Sequence, residues 1–385
     1  MKDFVFKMPA RVIFGEGAAA RLYEVCRSLG AGKVFVVSDK IIGATAEFQK
    51  ILDGLSGHGI AFEVYTDTLP EPPAPAVDAA AEALRASGCD MVAAVGGGSP
   101  IDTAKAVAML ATNPGQIKDY LFGGTKTILN PPLPLAAIPT TAGSGSEVTG
   151  ASVIEDVERH VKLSVTHDSL IPRFAIVDPL LHRSMPGPVT AATGMDALTH
   201  AVEAYTSLNA NPMSDALARQ TIRLVGENLR TAFSNPADLT ARGNMALASV
   251  MGAASFVNGG LGAVHGISQS MGGVAHVSHG VGNALLLPYV MERNCVGSLK
   301  KFADIAAFLG ERTDGLSLRE AAERSVQAVR SLGRDLQIPA ALREVGVTRE
   351  MFPEIIAGTM SYRMLAINPC VLTGKDVGAI LEAAY

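Results

Sequence analysis

Tryptophan is absent from this 385-residue chain, aromatic residues make up only 5% of it, and no run of lysine or arginine stands out. Without stacking rings or clustered cations it offers neither a base-stacking platform nor the counterion-displacing surface of a nucleic-acid binder. The formal net charge of -5 points the same way. Long apolar runs are missing too: none reaches the roughly 20 residues that cross a bilayer, and the opening MKDFVFKMPARVIF is broken by charge and proline before a signal-peptide core can form. The four cysteines, Cys26, Cys89, Cys295 and Cys370, lie far apart with no CxxC pair. They read as reduced thiols of a cytoplasmic protein rather than a disulfide frame or a zinc cage.

What is present is a composition that packs: 48% hydrophobic and 18% charged residues, punctuated by 39 glycines and 21 prolines. The length exceeds one ordinary core and predicts two domains. In the first half, KVFVVSD (33–39), AFEVYTD (61–67), DMVAAVG (90–96), LPLAAIPTT (133–141) and FAIVDP (174–179) read as buried strands. Amphipathic stretches such as AVDAAAEALRAS (76–87) and PIDTAKAVAMLA (100–111) fall between them, with LPEPPAPAV (69–77) as a strand-to-helix loop. This alternation predicts a parallel α/β layer. Near MPGPVTAATG (185–194) the pattern changes, and helical periodicity takes over to the end. The expected architecture is an α/β domain over residues 1–185 and an all-α domain over 186–385.

The turn VAAVGGGSPIDTAKA sets a buried strand directly before Gly96, Gly97, Gly98, Ser99 and Pro100, and then a helix. Glycines let the backbone approach a diphosphate, the first helical turn supplies unpaired N–H groups and the positive dipole end, and Pro100 suits the first helical position. The spacing is not GxGxxG, and no acidic residue ends a strand at the usual distance downstream. One does end a strand upstream, at Asp39, where a carboxylate could accept both ribose hydroxyls and repel a 2′-phosphate, selecting NAD over NADP; an N-cap role explains it equally well, and Lys40 beside it blurs the charge. PTTAGSGSEVT (139–149) follows another strand, and its Thr140, Thr141, Ser144 and Ser146 suit a second wall of a cofactor site.

The chain has eight histidines, and three of them fall in VHGISQSMGGVAHVSHG (264–280). In TGMDALTHAVEAY, Asp196 and His200 stand at i and i+4 and project from one helix face. His265 and His279 complete the set, with a Gly272–Gly273 bend expected to turn both toward one point. One oxygen and three nitrogens suit a catalytic divalent metal that keeps a position for substrate. His276 is ambiguous: its i, i+3 relation to His279 is ligand-like, and a role lining the site fits as well.

GGGSPIDTAKA, IPTTAGSGSEVT, ATGMDALTHAVEAY and VHGISQSMGGVAHVSHGVGNALLLP resemble, almost from end to end, the iron-containing (group III) alcohol dehydrogenases, the group that includes lactaldehyde reductases and propanediol dehydrogenases. The resemblance implies that the α/β domain (1–185) is dinucleotide-binding and the all-α domain (186–385) metal-binding and catalytic, with NAD and a divalent metal, Fe(II) foremost with Zn(II) as the alternative, held where the two domains meet. It puts the metal ligands on Asp196, His200, His265 and His279. It puts the diphosphate on Gly97, Gly98 and Ser99, with Asp102 also among the cofactor residues, the second wall on Thr140, Thr141 and Ser144, the NAD-selecting acid on Asp39, and a cofactor-side lysine on Lys162. Two departures stand out. Many members carry a proton-relaying histidine four residues after the histidine ligand that falls on His265, where this chain has Gln269, an amide that exchanges no proton at neutral pH. His276 is the substitute candidate. Glu71, in LPEPP, stands where members often have asparagine.

The reaction implied is hydride transfer between an alcohol carbon and nicotinamide C4, assisted by a Lewis-acid metal. Phe256 and the small residues of NGGLGA are expected to line a modest pocket for a short primary alcohol, a diol or a hydroxy acid, and the family implies a homodimer. Maleylacetate reductase, glycerol dehydrogenase and dehydroquinate-synthase-like lyases are the nearest alternatives. A metallohydrolase would use the same ligands to activate water, but it would leave the glycine turn and Asp39 idle.

Overall fold

The computed structural model describes residues 3–7, 10–158 and 161–385. Two compact units divide the described chain: one from residues 9–141 and 145–184, the other from 1–8, 142–144 and 185–385.

The first unit is built on strands β1 (Arg11–Phe14), β2 (Lys33–Val37), β3 (Ala61–Tyr65), β4 (Met91–Gly96), β5 (Leu135–Pro139) and β8 (Phe174–Val177), all paired in parallel in the order β1-β8-β5-β4-β2-β3. Strands β6 (Ala151–Asp156) and β7 (Val161–Thr166) form a separate antiparallel pair. Helices α1 (Leu22–Leu29), α2 (Lys40–Gly43), α3 (Ala46–Gly57), α4 (Ala74–Ser87) and α5 (Gly98–Leu110) complete it. Side chains of a strand alternate between its faces, and both faces of this sheet are covered. Phe35, Val37, Val92 and Ala94 pack with α4 and α5, whereas Val34, Val36, Met91 and Val95 pack with α1 and α3. That double cover is why the central strands read as continuous apolar runs.

Strand β4 lies beside β2, yet β3 extends the sheet on one side of this pair and β5 on the other. The strand order therefore reverses between β2 and β4. In open α/β sheets, ligands gather outside the carboxyl ends of the strands at such a reversal. Asp39 and the glycine turn both follow those two ends.

The second unit holds α6 (Gly187–Thr206), α7 (Pro212–Ser234), α8 (Leu239–Gly259), α9 (Ala263–Ala275), α10 (His279–Asn294), α11 (Leu299–Phe308), α12 (Leu318–Asp335), α13 (Phe352–Ser361) and α14 (Gly374–Ala384). Pro186 caps α6 and Pro188 sits in its first turn, so the punctuation at 185–194 marks a helix start. From Thr190 to Thr206 every residue of α6 but Thr193 is buried, which makes it the central helix of this core. Helices α8 and α9 meet at 104°, a corner that requires Gly260: its φ is +88°, and a Cβ there would stand 2.2 Å from Ile367 Cδ1.

Several sequence expectations are corrected. Gly272 and Gly273 do not bend the chain but lie inside α9; the break follows at His276–Ser278, with His276 left-handed at φ 53° as the helix cap. Pro100 is the third residue of α5, behind the cap Gly97, rather than the first. Strand β1 and the β6–β7 pair were not among the five strands expected, and AFEVY, expected to be buried, is the edge strand β3 with no buried residue. The four cysteines are free thiols, three of them buried. Among the described residues no single helix is long and apolar enough to span a membrane; the bent pair α8–α9 passes on composition, and it belongs to the helical core.

Candidate metal centre and cofactor turn

Helix α6 carries Asp196 and His200 one turn apart, both buried, with His200 Nε2 3.8 Å from Asp196 Oδ1. The α8–α9 corner brings in buried His265, whose Nε2 is 3.9 Å from the same oxygen, and the first residue of α10 brings His279 Nε2 to 3.7 Å. Two donors bound to one ion at about 2.1 Å with a tetrahedral angle stand about 3.4 Å apart. The observed separations are close to that. Ligand atoms of Asp196, His265 and His279 all fall within 4.8 Å of one another, and the His200 ring stacks on that of His265 at 4.8 Å between centroids.

A buried amide points into this set. Asn283 Nδ2 donates to Asp196 Oδ1 at 2.7 Å and stands 3.2 Å from His265 Nε2 and 3.1 Å from His279 Nε2, while its Oδ1 is buried without a partner. An amide has two hydrogens and cannot satisfy three such atoms together with His200. The site therefore gathers more lone pairs than it supplies donors, the condition a bound cation relieves. One carboxylate and three imidazoles are the donor set expected for a divalent transition metal.

Burial and charge together set the protonation states: burial would lower His265, yet Glu203 and Asp196 raise it above its ordinary value. Burial drives His200 down to about 3, against the pull of Asp196, so its ring is neutral. Burial alone would raise Asp196, yet His200, His279 and His265 with the Asn283 amide hold it below its ordinary value, as a carboxylate. Two ligands thus need no proton removed before binding a metal.

Two residues of this centre escape a reading of the sequence. Glu203, buried, stands 2.6 Å from His265 Nδ1 and accepts from the Val264 N–H at 2.7 Å. The other is Asn283. The signals were the spacings: Glu203 stands seven residues after Asp196 on one face of α6, and Asn283 four after His279. Of the remaining site candidates, Phe256 packs its ring 4.6 Å from that of His200, and Gln269 lies half-buried on α9, one turn after His265. His276 is exposed at the end of α9.

In the α/β unit, Gly97, Gly98 and Ser99 are partly exposed at the start of α5, where no side chain caps the helix. The neighbouring turn touches this one: Thr140 N–H donates to Gly96 O at 3.0 Å, and a Cβ on Gly97 would stand 3.3 Å from Thr141 Cγ2. Ser144 belongs to the short segment 142–144 of the helical unit. Asp39 caps α2, its Oδ1 accepting from the Ile41 and Ile42 N–H groups at 2.9 Å, and Lys40 pairs with Asp67 at 3.0 Å. Lys162, on β7, is ion-paired with Glu71, which has φ +49° and donates its N–H to Ser99 Oγ at 3.2 Å. Asp102 is turned to the scaffold: its oxygens accept from Ser146 Oγ at 2.5 Å and Val153 N–H at 2.9 Å, and buried Lys105 lies 3.6 Å away.

Comparison with known proteins matches both units. A family model described as iron-containing alcohol dehydrogenase covers residues 9–179, and one for the C-terminal part of the Fe-containing alcohol dehydrogenase family covers 190–385. The chain is 40% identical to a 1,3-propanediol dehydrogenase of Citrobacter freundii, over 99% of each chain, and 36% identical to an NAD-dependent methanol dehydrogenase of Bacillus methanolicus, over 98% of this chain and 99% of the other. A crystal structure of a 1,3-propanediol oxidoreductase aligns over 100% of both chains with 38% identity and a TM-score of 0.96. With the α/β unit and the helical unit each matched along nearly their full length, the chain belongs to the iron-containing alcohol dehydrogenase family and is an oxidoreductase.

Proposed function

We propose that this chain is an NAD-dependent alcohol dehydrogenase and aldehyde reductase that uses a divalent metal, Fe(II) in the native enzyme, bound by Asp196, His200, His265 and His279. The convergence of these four side chains around a buried amide is the observation that carries the reading. When bound, the metal supplies Lewis acidity, which makes the hydroxyl of an alcohol more acidic and the carbonyl of an aldehyde more electrophilic.

The protein's own groups do the rest. Helix α6 fixes the carboxylate and His200 on one face, so the donor set is held by rigid backbone. The Phe256 ring against His200 offers an apolar surface that favours a small carbon skeleton, in keeping with a short primary alcohol, a diol or a hydroxy acid. The uncapped amino end of α5, at Gly97, Gly98 and Ser99, donates N–H groups to the cofactor diphosphate. Thr140, Thr141 and Lys162 of the α/β unit would hold the remainder of NAD, and Ser144 is a further candidate. Asp102 contributes by holding Ser146 and the β6–β7 pair in place. Asp39 keeps one oxygen beyond its cap, and with Lys40 neutralised by Asp67 the local charge disfavours a 2′-phosphate. Bound NAD would supply the hydride acceptor, and His276 is the group assigned to take the hydroxyl proton, because the Gln269 amide cannot carry it.

The reduced cysteines fit a cytoplasmic enzyme. The outer edge of β1, a strand at the sheet margin whose Val12 and Phe14 are 43% and 44% exposed, supports pairing with a second copy in a homodimer. The test is anaerobic NAD reduction by chelator-treated protein reloaded separately with Fe(II) and Zn(II), across short alcohols, diols and hydroxy acids. Metal-dependent NADH formation is expected. Silence with every metal and alcohol, with NAD still bound, would move the assignment to the lyase-like relatives.

A further inference from the structure

Helix α9 begins one turn before its histidine, and its first two N–H groups are buried. Ala263 N–H meets Asn368 Oδ1 at 3.3 Å and Val264 N–H meets Glu203 Oε1 at 2.7 Å. The second carboxylate oxygen of Glu203 stands 2.6 Å from His265 Nδ1. Glu203 arises from α6, two turns beyond Asp196, so a single helix supplies a ligand, a second ligand and the partner of a third. Its surroundings admit little water: the side chain is 5% exposed, Gly262 leaves room for it where a Cβ would come within 3.1 Å of Oε1, and the Tyr362 ring packs against α9 at Gly266.

We propose that Glu203 is a positioning residue that fixes the tautomer of His265. Both oxygens of its carboxylate face donors, one a backbone N–H that cannot change its role. The other partner, Nδ1, must therefore carry a hydrogen, which leaves Nε2, the atom that faces Asp196 and Asn283, as the ring nitrogen available to a metal. Without that constraint the alternative tautomer would aim an N–H at the ion position. The charge is sited where it is least costly, because the amino end of α9 favours an anion. The inference rests on the metal reading above, and it concerns a residue that would touch neither the ion nor the substrate.

The discriminating substitution is Glu203→Gln, nearly isosteric. Glutamine offers one acceptor and one donor to two groups that both donate, so either Val264 N–H loses its partner or the ring turns to the other tautomer. In the intact chain stripped of metal, Co(II) titrated alone should bind Glu203→Gln about 10- to 100-fold more weakly than the wild type. Nitrogen NMR of histidine-labelled protein supplies a readout that mere loss of packing would not move. The wild type should show His265 protonated at Nδ1, and the variant a loss of that proton in whole or in part. Co(II) affinity equal to wild type with an unchanged nitrogen pattern would overturn the proposal. If the variant does not fold, the wild-type spectrum still decides, since an Nδ1 without a proton contradicts it. Asp196→Ala serves as the control for the reading beneath: undiminished Co(II) binding there would refute the metal centre itself, whereas loss there with no effect at Glu203 refutes only this inference.

Discussion

Glu147 should make the α/β unit less stable as the solution becomes alkaline, and replacing it with glutamine should remove that dependence. The residue lies in the short turn Ser146–Val148 and is 2% exposed. Burial pushes its carboxyl up to about 7, against the opposing pull of its own backbone N–H and of Lys105, a fully buried ammonium committed to Ser146 Oγ at 2.6 Å and Ala151 O at 2.7 Å. The unfolded chain returns Glu147 to its ordinary 4.5. Between these values the folded state binds the proton and the unfolded state releases it, so stability falls as pH rises through the window and levels off above it. The interval from 4.5 to about 7 corresponds to roughly 3 kcal/mol. Glutamine keeps the shape without the charge. Urea unfolding of wild type and Glu147→Gln, at matched ionic strength and followed by circular dichroism because the chain lacks tryptophan, should give nearly equal midpoints in mild acid. The variant should be more stable by roughly 2–3 kcal/mol above the window. Parallel pH curves for the two proteins would refute the reasoning.

Other outcomes follow from individual contacts. Arg242 is 1% exposed and donates to Thr190 Oγ1 at 2.7 Å and Met185 O at 3.2 Å, holding the first turn of the helix that carries Asp196 and His200. Arg242→Ala leaves a cavity and buried acceptors without donors, and should cost about 3 kcal/mol or more in urea unfolding; a cost under about 1 kcal/mol would contradict this. Asp39→Ala should raise the NADP to NAD ratio of kcat/KM, and an unchanged ratio would assign Asp39 to its cap alone. His276→Ala should depress turnover with metal content intact, and unaltered turnover would remove His276 from the proton path.

Much of this was legible in the sequence because the relevant signals are local. Four of the five apolar runs became the inner strands β2, β4, β5 and β8, since a doubly covered parallel strand must be apolar on both faces, and the fifth, AFEVY, became the edge strand β3. The pair Asp196 and His200 was readable because i, i+4 spacing fixes a shared helix face whatever surrounds it. Strand β1, at the opposite edge, was not: RVIF is only four residues long and follows charge and proline rather than a helix. Glu203 also stayed hidden, because its role depends on a corner near Gly260 that brings α9 back to α6. Nothing in THAVEAY shows where Val264 and His265 will be. The expected bend at Gly272 and Gly273 failed for the converse reason: paired glycines permit a break, but the packing of α9 keeps that stretch helical.

The central claim is that four side chains hold a metal that hydride transfer requires. Wild type and Asp196→Ala, both stripped and reloaded with Fe(II) under anaerobic conditions, should be compared for bound iron and for NADH formation from a short diol. The account predicts a single iron per wild-type chain with iron-dependent NADH formation, and loss of both in the variant. Wild-type NADH formation that persists without metal, or a variant that keeps both iron and turnover, would contradict it.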